Sequence, residues 1–138
     1  MFEIFFFSAL KYDSIYALNQ DGRIQLTVDS GETVALSCQS LQGIPASMLW
    51  SWMRDYAVRG IAYNSGLIVD QRTKYGVEYD TGENFATSVL TIRSLTAEDQ
   101  GEYSCQADNE TPSSVDIVVR GRLDFYVLVD IYSHVCLD

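Results

Sequence analysis

Between Gly22 and Arg120 the chain consists of short runs in which apolar and polar residues alternate, each closed by turn residues, and no helical period is sustained. Alternation with a period of two requires extended strands, each with one buried face, so the chain must bury itself as sheets. Arg23 to Val28 alternates, Asp29-Ser30-Gly31-Glu32 turns, and Thr33 to Gln39 puts Val34, Leu36 and Cys38 on one face, which predicts a hairpin-like unit. Met48 to Arg54 places Trp50 and Trp52 on one face, as a core plug, and Leu49, Ser51 and Met53 on the other. Arg59 to Asn64, Leu67 to Asp70 and Tyr75 to Tyr79 are short strand candidates, with Gly60, Gly66, Gly76 and Gly82 falling singly where turns need them. Ala86 to Ile92 sends Ser88, Leu90 and Ile92 inward, Glu102 to Ala107 sends Tyr103 and Cys105 inward, and Val115, Ile117 and Val119 alternate in a last strand. About nine strands at this spacing predict an all-β, two-sheet antiparallel sandwich over residues 22–120.

Composition narrows the function. The chain has 138 residues, of which 47% are apolar, enough to build one core and exclude wholesale disorder. Its formal net charge is −10, with no cluster of Lys or Arg. That balance argues against nucleic-acid and membrane-surface partners. Residues 1–21 are expected to be a separate segment whose start, Met1 to Leu10, with an apolar run from Ile4 to Leu10, is a signal-peptide candidate or an extra strand. Residues 121–138 are expected to be a tail, either an added strand or disordered, in which Phe125 to Val135 is too short and polar to cross a bilayer, so no membrane insertion is expected. Cys38, Cys105 and Cys136 include no C-x-x-C pair, which argues against a metal site. Cys38 and Cys105 both sit in alternating strands and can meet across a core, leaving Cys136 as a free thiol or an intermolecular link.

Cys38, Trp52-Met53-Arg54, Leu90-Thr91-Ile92, Leu95 and Asp99-Gln100-Gly101-Glu102-Tyr103-Ser104-Cys105 together resemble an immunoglobulin domain, with the motif D-x-G-x-Y-x-C as its most specific part. The resemblance covers roughly residues 23 to 120 and implies a Greek-key sandwich. It implies that Cys38 and Cys105 bridge the sheets with Trp52 against the sulfurs, and that Tyr103 forms a tyrosine corner. It also implies that Asp99 pairs with a base, Lys74 or Arg72, and that Leu90 and Gly101 serve as framework. The room between Trp52 and Asp99 points to a variable-type domain with two extra edge strands; an intermediate-type domain is the second choice. Lys74 to Gly82 with SVLTIRSLTAEDQGEYSCQ is similar to the first domains of neural adhesion proteins of the lachesin, amalgam and IgLON kind.

Raw material for catalysis is thin. His134 is the sole histidine and lies in the tail, so a Ser-His-Asp hydrolase would depend on that tail docking. No phosphate loop is present, and the acids Asp80, Glu83, Glu98, Asp99 and Glu102 lack calcium-loop spacing, so neither enzyme activity nor a cofactor is expected. A sandwich without chemistry works through its surface. The outward positions Leu49, Ser51, Met53, Ile61, Tyr63, Ser104 and Gln106 are the expected protein-binding face, open to a homophilic or heterophilic partner or else covered by the Phe125 to Val135 tail. Recognition through the loops Gln39 to Ser47, Asn64 to Gly66 and Asn109 to Ser114 is the alternative. Asn109-Glu110-Thr111 is a glycosylation triplet. The expected role is an extracellular or cell-surface adhesion or recognition module. The competing role is an intracellular structural domain of the muscle-filament type with reduced cysteines.

Overall fold

The alternating runs stack as two sheets in a computed structural model that describes residues 11–20 and 24–121. Ten strands lie in these residues: β1 (Ser14–Ala17), β2 (Ile24–Asp29), β3 (Val34–Gln39), β4 (Met48–Arg54), β5 (Ala57–Tyr63), β6 (Gly66–Leu67), β7 (Tyr75–Thr81), β8 (Ala86–Ile92), β9 (Gly101–Ala107) and β10 (Ser113–Arg120). One sheet has the order β1-β3-β8-β7 and the other β2-β10-β9-β4-β5-β6. The expectations placed on Met1 to Leu10, Phe125 to Val135, His134 and Cys136 lie outside the described residues.

The interior pairings are antiparallel, but two edges are not: β1 runs parallel to β3 and β2 parallel to β10. The second of these overturns the expected hairpin of Arg23 to Val28 with Thr33 to Gln39, because β2 and β3 belong to different sheets. After Asp29 the chain does not fold back on itself. Ser30 N–H donates to Arg120 O at 2.6 Å and Gly31 N–H to Leu95 O at 2.8 Å, carrying the chain across the sandwich, with Gly31 at φ +92. Residues 14–18, placed by the sequence in the leading segment, join the fold through β1 and buried Leu18.

Side-chain alternation positions the core. β8 alternates buried and half-buried residues along its whole length, directing Ala86, Ser88, Leu90 and Ile92 at the facing sheet, while β9 supplies Tyr103 and Cys105 and β10 supplies Val115 and Ile117. A disulfide joins Cys38 of β3 to Cys105 of β9. In the registers, Cys38 faces Ser88 and Cys105 faces Trp50, and Trp50 Nε1–H donates to Ser88 Oγ at 2.8 Å. The bridge and the indole-hydroxyl bond are therefore adjacent links between the sheets. This corrects the assignment of Trp52 as the plug beside the sulfurs: Trp50 is fully buried there. Trp52 is half-buried two pairs further along, with its ring 6.4 Å from that of Tyr103 and its Nε1–H donating to Gln100 O.

At the opposite end, Tyr103 Oη–H donates to Asp99 O at 2.6 Å. The Asp99 carboxylate accepts from Lys74 Nζ at 2.6 Å and from Thr96 N–H at 2.8 Å, so the base opposite it is Lys74 and not Arg72. Gly101 sits at φ +147, and a Cβ there would stand 2.5 Å from Trp52 Nε1 and 2.7 Å from Met53 O. Only glycine fits that close approach. Gly60 and Gly76, expected at turns, lie inside β5 and β7.

Candidate protein-binding face

The outer face of the larger sheet is set by cross-strand register. Leu49 stands between Tyr63 and Gln106, Ser51 between Gly60 and Ser104, and Met53 between Val58 and Glu102. Ser104 in turn faces Ser114, with their hydroxyl oxygens 2.8 Å apart, and Glu102 faces Asp116. Neighbouring outward residues on paired strands touch, so these rows are continuous strips of surface. Two strips end in apolar groups, Tyr63 with Leu49 and Val58 with Met53, while the strip between them consists of the small residues Gly60, Ser51, Ser104 and Ser114. The face thus carries a row of small residues, here called the trough, between two strips with apolar ends, and Ile68 reaches over its Gly60 end.

Ile61 is not on this face. It is fully buried, and so is Ala62 beside it. The register of β4 on β5 slips between Trp50 and Ser51, since Trp50 faces Ala62 while Ser51 faces Gly60, leaving Ile61 as the extra residue of a β-bulge. The bulge turns two successive side chains into the core and restores outward parity at Tyr63. Simple alternation carries Ile61 outward whether it is counted from Arg59 or from Tyr63, and nothing in the sequence marks where the slip occurs.

Exposure separates the apolar members. Tyr63 is 51% exposed, Val58 67%, Ile68 55% and Leu49 36%, whereas Ser51, Met53, Ser104 and Gln106 are half-buried. Ile68 extends the patch beyond the strands: its Cδ1 lies 3.2 Å, and Leu49 Cδ1 4.0 Å, from where a Cβ on Gly60 would be. Val58 and Ile68 were missed because the strand was expected to begin at Arg59 and Ile68 to lie within a strand of its own, and Gly60 because it was expected at a turn. Their signal was a run of apolar residues, Ala57-Val58 and Leu67-Ile68-Val69, on both sides of a short turn. On the other side of the sheet, at the end of the core, the guanidinium of Arg59 stacks 4.9 Å from the Trp52 ring centroid. The β4–β5 turn, Asp55-Tyr56, has positive φ at both residues and leaves Tyr56 98% exposed.

The loop end of the sandwich is built differently. Asp108, after β9, accepts through its carboxylate from the N–H groups of Ala46 and Ser47 at 3.1 and 2.9 Å, and Glu110 accepts from Leu41 and Gln42 at 3.3 and 3.2 Å. Two acids of one turn thus hold the loop between β3 and β4. Gln106 Nε2–H donates to Glu110 O at 2.9 Å, so the upper corner of the sheet face is tied to this loop end. The two loops and Gln20 enclose an open cleft of about 420 Å³. Among the described residues no His, Cys, Asp and Glu side chains gather into a group able to hold a metal ion, and no helix is long and apolar enough to cross a membrane.

Comparison with known proteins agrees with this architecture. A family model described as immunoglobulin domain matches residues 20–109. No curated protein sequence matches the chain. Many solved chains do, among them the crystal structure of the RIG-5 IG1 homodimer, which is 23% identical with a TM-score of 0.61, the likeness covering 75% of this chain and 96% of that one. At that identity the likeness carries the fold.

Proposed function

The chain belongs to the immunoglobulin domain family, and from that premise we propose that it is a non-catalytic extracellular module that binds protein through the outer face of β4, β5 and β9, in cell adhesion or cell-surface recognition. The observation that carries this reading is the patch of Leu49, Val58, Tyr63 and Ile68, each at least one-third exposed, around the trough of small residues. Apolar and aromatic anchors with a polar rim are the anatomy of protein interfaces, and a patch of this kind costs solubility unless a partner covers it. The Cys38–Cys105 bridge supports an oxidising compartment and runs against the intracellular filament reading. β5 and β6, the two strands between β4 and β7, support the variable-type assignment. The resemblance to first domains of lachesin-like adhesion proteins and the homodimer named for the similar structure both favour recognition between immunoglobulin-type surfaces, homophilic or heterophilic.

The test is association of the purified protein. Self-association is measured by sedimentation equilibrium, and heterophilic binding with coated beads against a panel of purified cell-surface ectodomains. Leu49→Asp combined with Tyr63→Asp is expected to abolish whichever association is found, with an unchanged circular dichroism spectrum. Binding that survives this pair but is lost in Leu41→Asp, at the loop end, would move the site to the loops.

A further inference from the structure

We propose that Asn109 carries an N-linked oligosaccharide. The inference rests on the extracellular reading for its compartment and on the geometry of one turn for its site. Asn109-Glu110-Thr111 has the acceptor pattern, and the triplet lies between β9 and β10, outside both ladders. Asn109 and Thr111 are both exposed, and neither side chain has a hydrogen-bond partner among the described residues. An asparagine kept only to shape a turn would bond its own backbone. Here the turn is held without it: Asp108 and Glu110 clamp the β3–β4 loop, and Thr111 O accepts from Gln20 Nε2 at 2.6 Å. The amide of Asn109 is left with no structural task and open access.

What surrounds it suits a sugar. The cleft beside Asn109 is lined by Gln20, Gln42 and Glu110 and by Leu41, which is 67% exposed, so it offers polar partners and one apolar surface that a first sugar would cover. In the attachment step the Asn109 amide nitrogen attacks C1 of an oligosaccharide carried on a lipid diphosphate. The C1–N bond forms as the C1–O bond breaks, the lipid diphosphate leaves with the electron pair, and the amide gives up one proton. Pro112 directly follows the triplet and confines Thr111 to extended backbone, which slows transfer. Occupancy is therefore partial, and Pro112→Ala raises it. A glycan at this turn shields the loop end and leaves the trough on the sheet as the accessible surface.

The experiment expresses the full chain behind a heterologous secretory leader in eukaryotic cells, followed by intact mass and peptide mapping before and after peptide N-glycosidase. The expected result is a population with added mass that the glycosidase removes, leaving aspartate at position 109. The added mass is lost in Asn109→Gln and Thr111→Ala, kept in Thr111→Ser and increased in Pro112→Ala. Secreted protein with the Cys38–Cys105 bridge intact and every Asn109 unmodified, in the parent and in Pro112→Ala alike, overturns the inference. That outcome leaves the binding proposal standing, because the Leu49 and Tyr63 substitutions are read on unglycosylated protein as well. If Asn109→Gln is not secreted, Thr111→Ala and glycosidase treatment of the parent report on the same attachment.

Discussion

A tryptophan in a sandwich core is settled by what its indole N–H can reach. Trp50 and Trp52 share one face of β4 by parity, so spacing alone does not rank them. Ser88 ranks them: a hydroxyl directly opposite Trp50 on β8 accepts its N–H, which permits complete burial, whereas Trp52 reaches only a backbone carbonyl at the end of the core. A polar residue in the middle of an apolar strand face, as in Ser88-Val89-Leu90, was the available clue. Tyr103 poses the same question with a titrating group. Burial is the main reason its phenol pKa is raised above the ordinary value of 10.0, with Tyr75 and Asp99 adding to it. In the unfolded chain the phenol ionises near pH 10, while in the fold it stays neutral, so the folded state retains a proton that the unfolded state loses. The resulting stability is complete below about pH 10 and is lost as pH climbs above it. The urea midpoint is therefore expected to fall steeply from about pH 9.5 upward. Tyr103→Phe should start about 1–2 kcal/mol lower, through loss of the hydrogen bond to Asp99 O, and show a shallower alkaline decline. Tyr75, whose pKa is also raised by burial, supplies the remaining slope. An undiminished alkaline limb in Tyr103→Phe would assign the effect elsewhere.

At the scale of elements, the alternating runs were legible almost to the residue where both partners are regular strands. Met48–Arg54 and Ala86–Ile92 were read with their observed limits because each is paired on both sides, and Ala86–Ile92 also alternates along its whole length. Reading failed where pairing, not pattern, decides. β1 is a four-residue edge strand whose exposure alternates only weakly, and β2 chooses β10 over its sequence neighbour β3, a long-range choice that a local pattern does not encode. The bulge in β5 is the same kind of failure, and it cost the candidate face Ile61. The consequence is measurable. Ile61→Ala removes a fully buried side chain and is expected to cost about 2–4 kcal/mol in urea unfolding, as for other large-to-small core changes. Val58→Ala, at 67% exposure on the trough, is expected to stay within about 0.5 kcal/mol and to weaken partner binding instead. The reverse order would place Ile61 outside and return it to the face.

For the molecule as a whole, two sheets separated by a single apolar layer depend on what spans that layer. Besides packing, the spanning links are the disulfide and the Trp50–Ser88 bond beside it, while Asp99, Lys74 and Tyr103 tie the far end together. The bridge closes a loop of sequence separation 67, which in the chain-entropy model corresponds to about 4 kcal/mol of stabilisation, exerted mainly on the unfolded state. Domains of this size have total stabilities of about 5–15 kcal/mol, so the bridge supplies a large fraction. Cys38→Ala with Cys105→Ala is therefore expected to fold, because the Trp50–Ser88 link and the core remain, but to unfold at much lower urea, with a stability lower by about 4 kcal/mol. Tryptophan fluorescence reports the transition directly, since Trp50 lies against the removed bridge. This result bears on where the protein works: a domain that loses most of its margin without the disulfide needs an oxidising compartment, which the adhesion reading supplies. A double variant as stable as the parent would make the bridge dispensable and leave the filament-type reading the better account of the same fold.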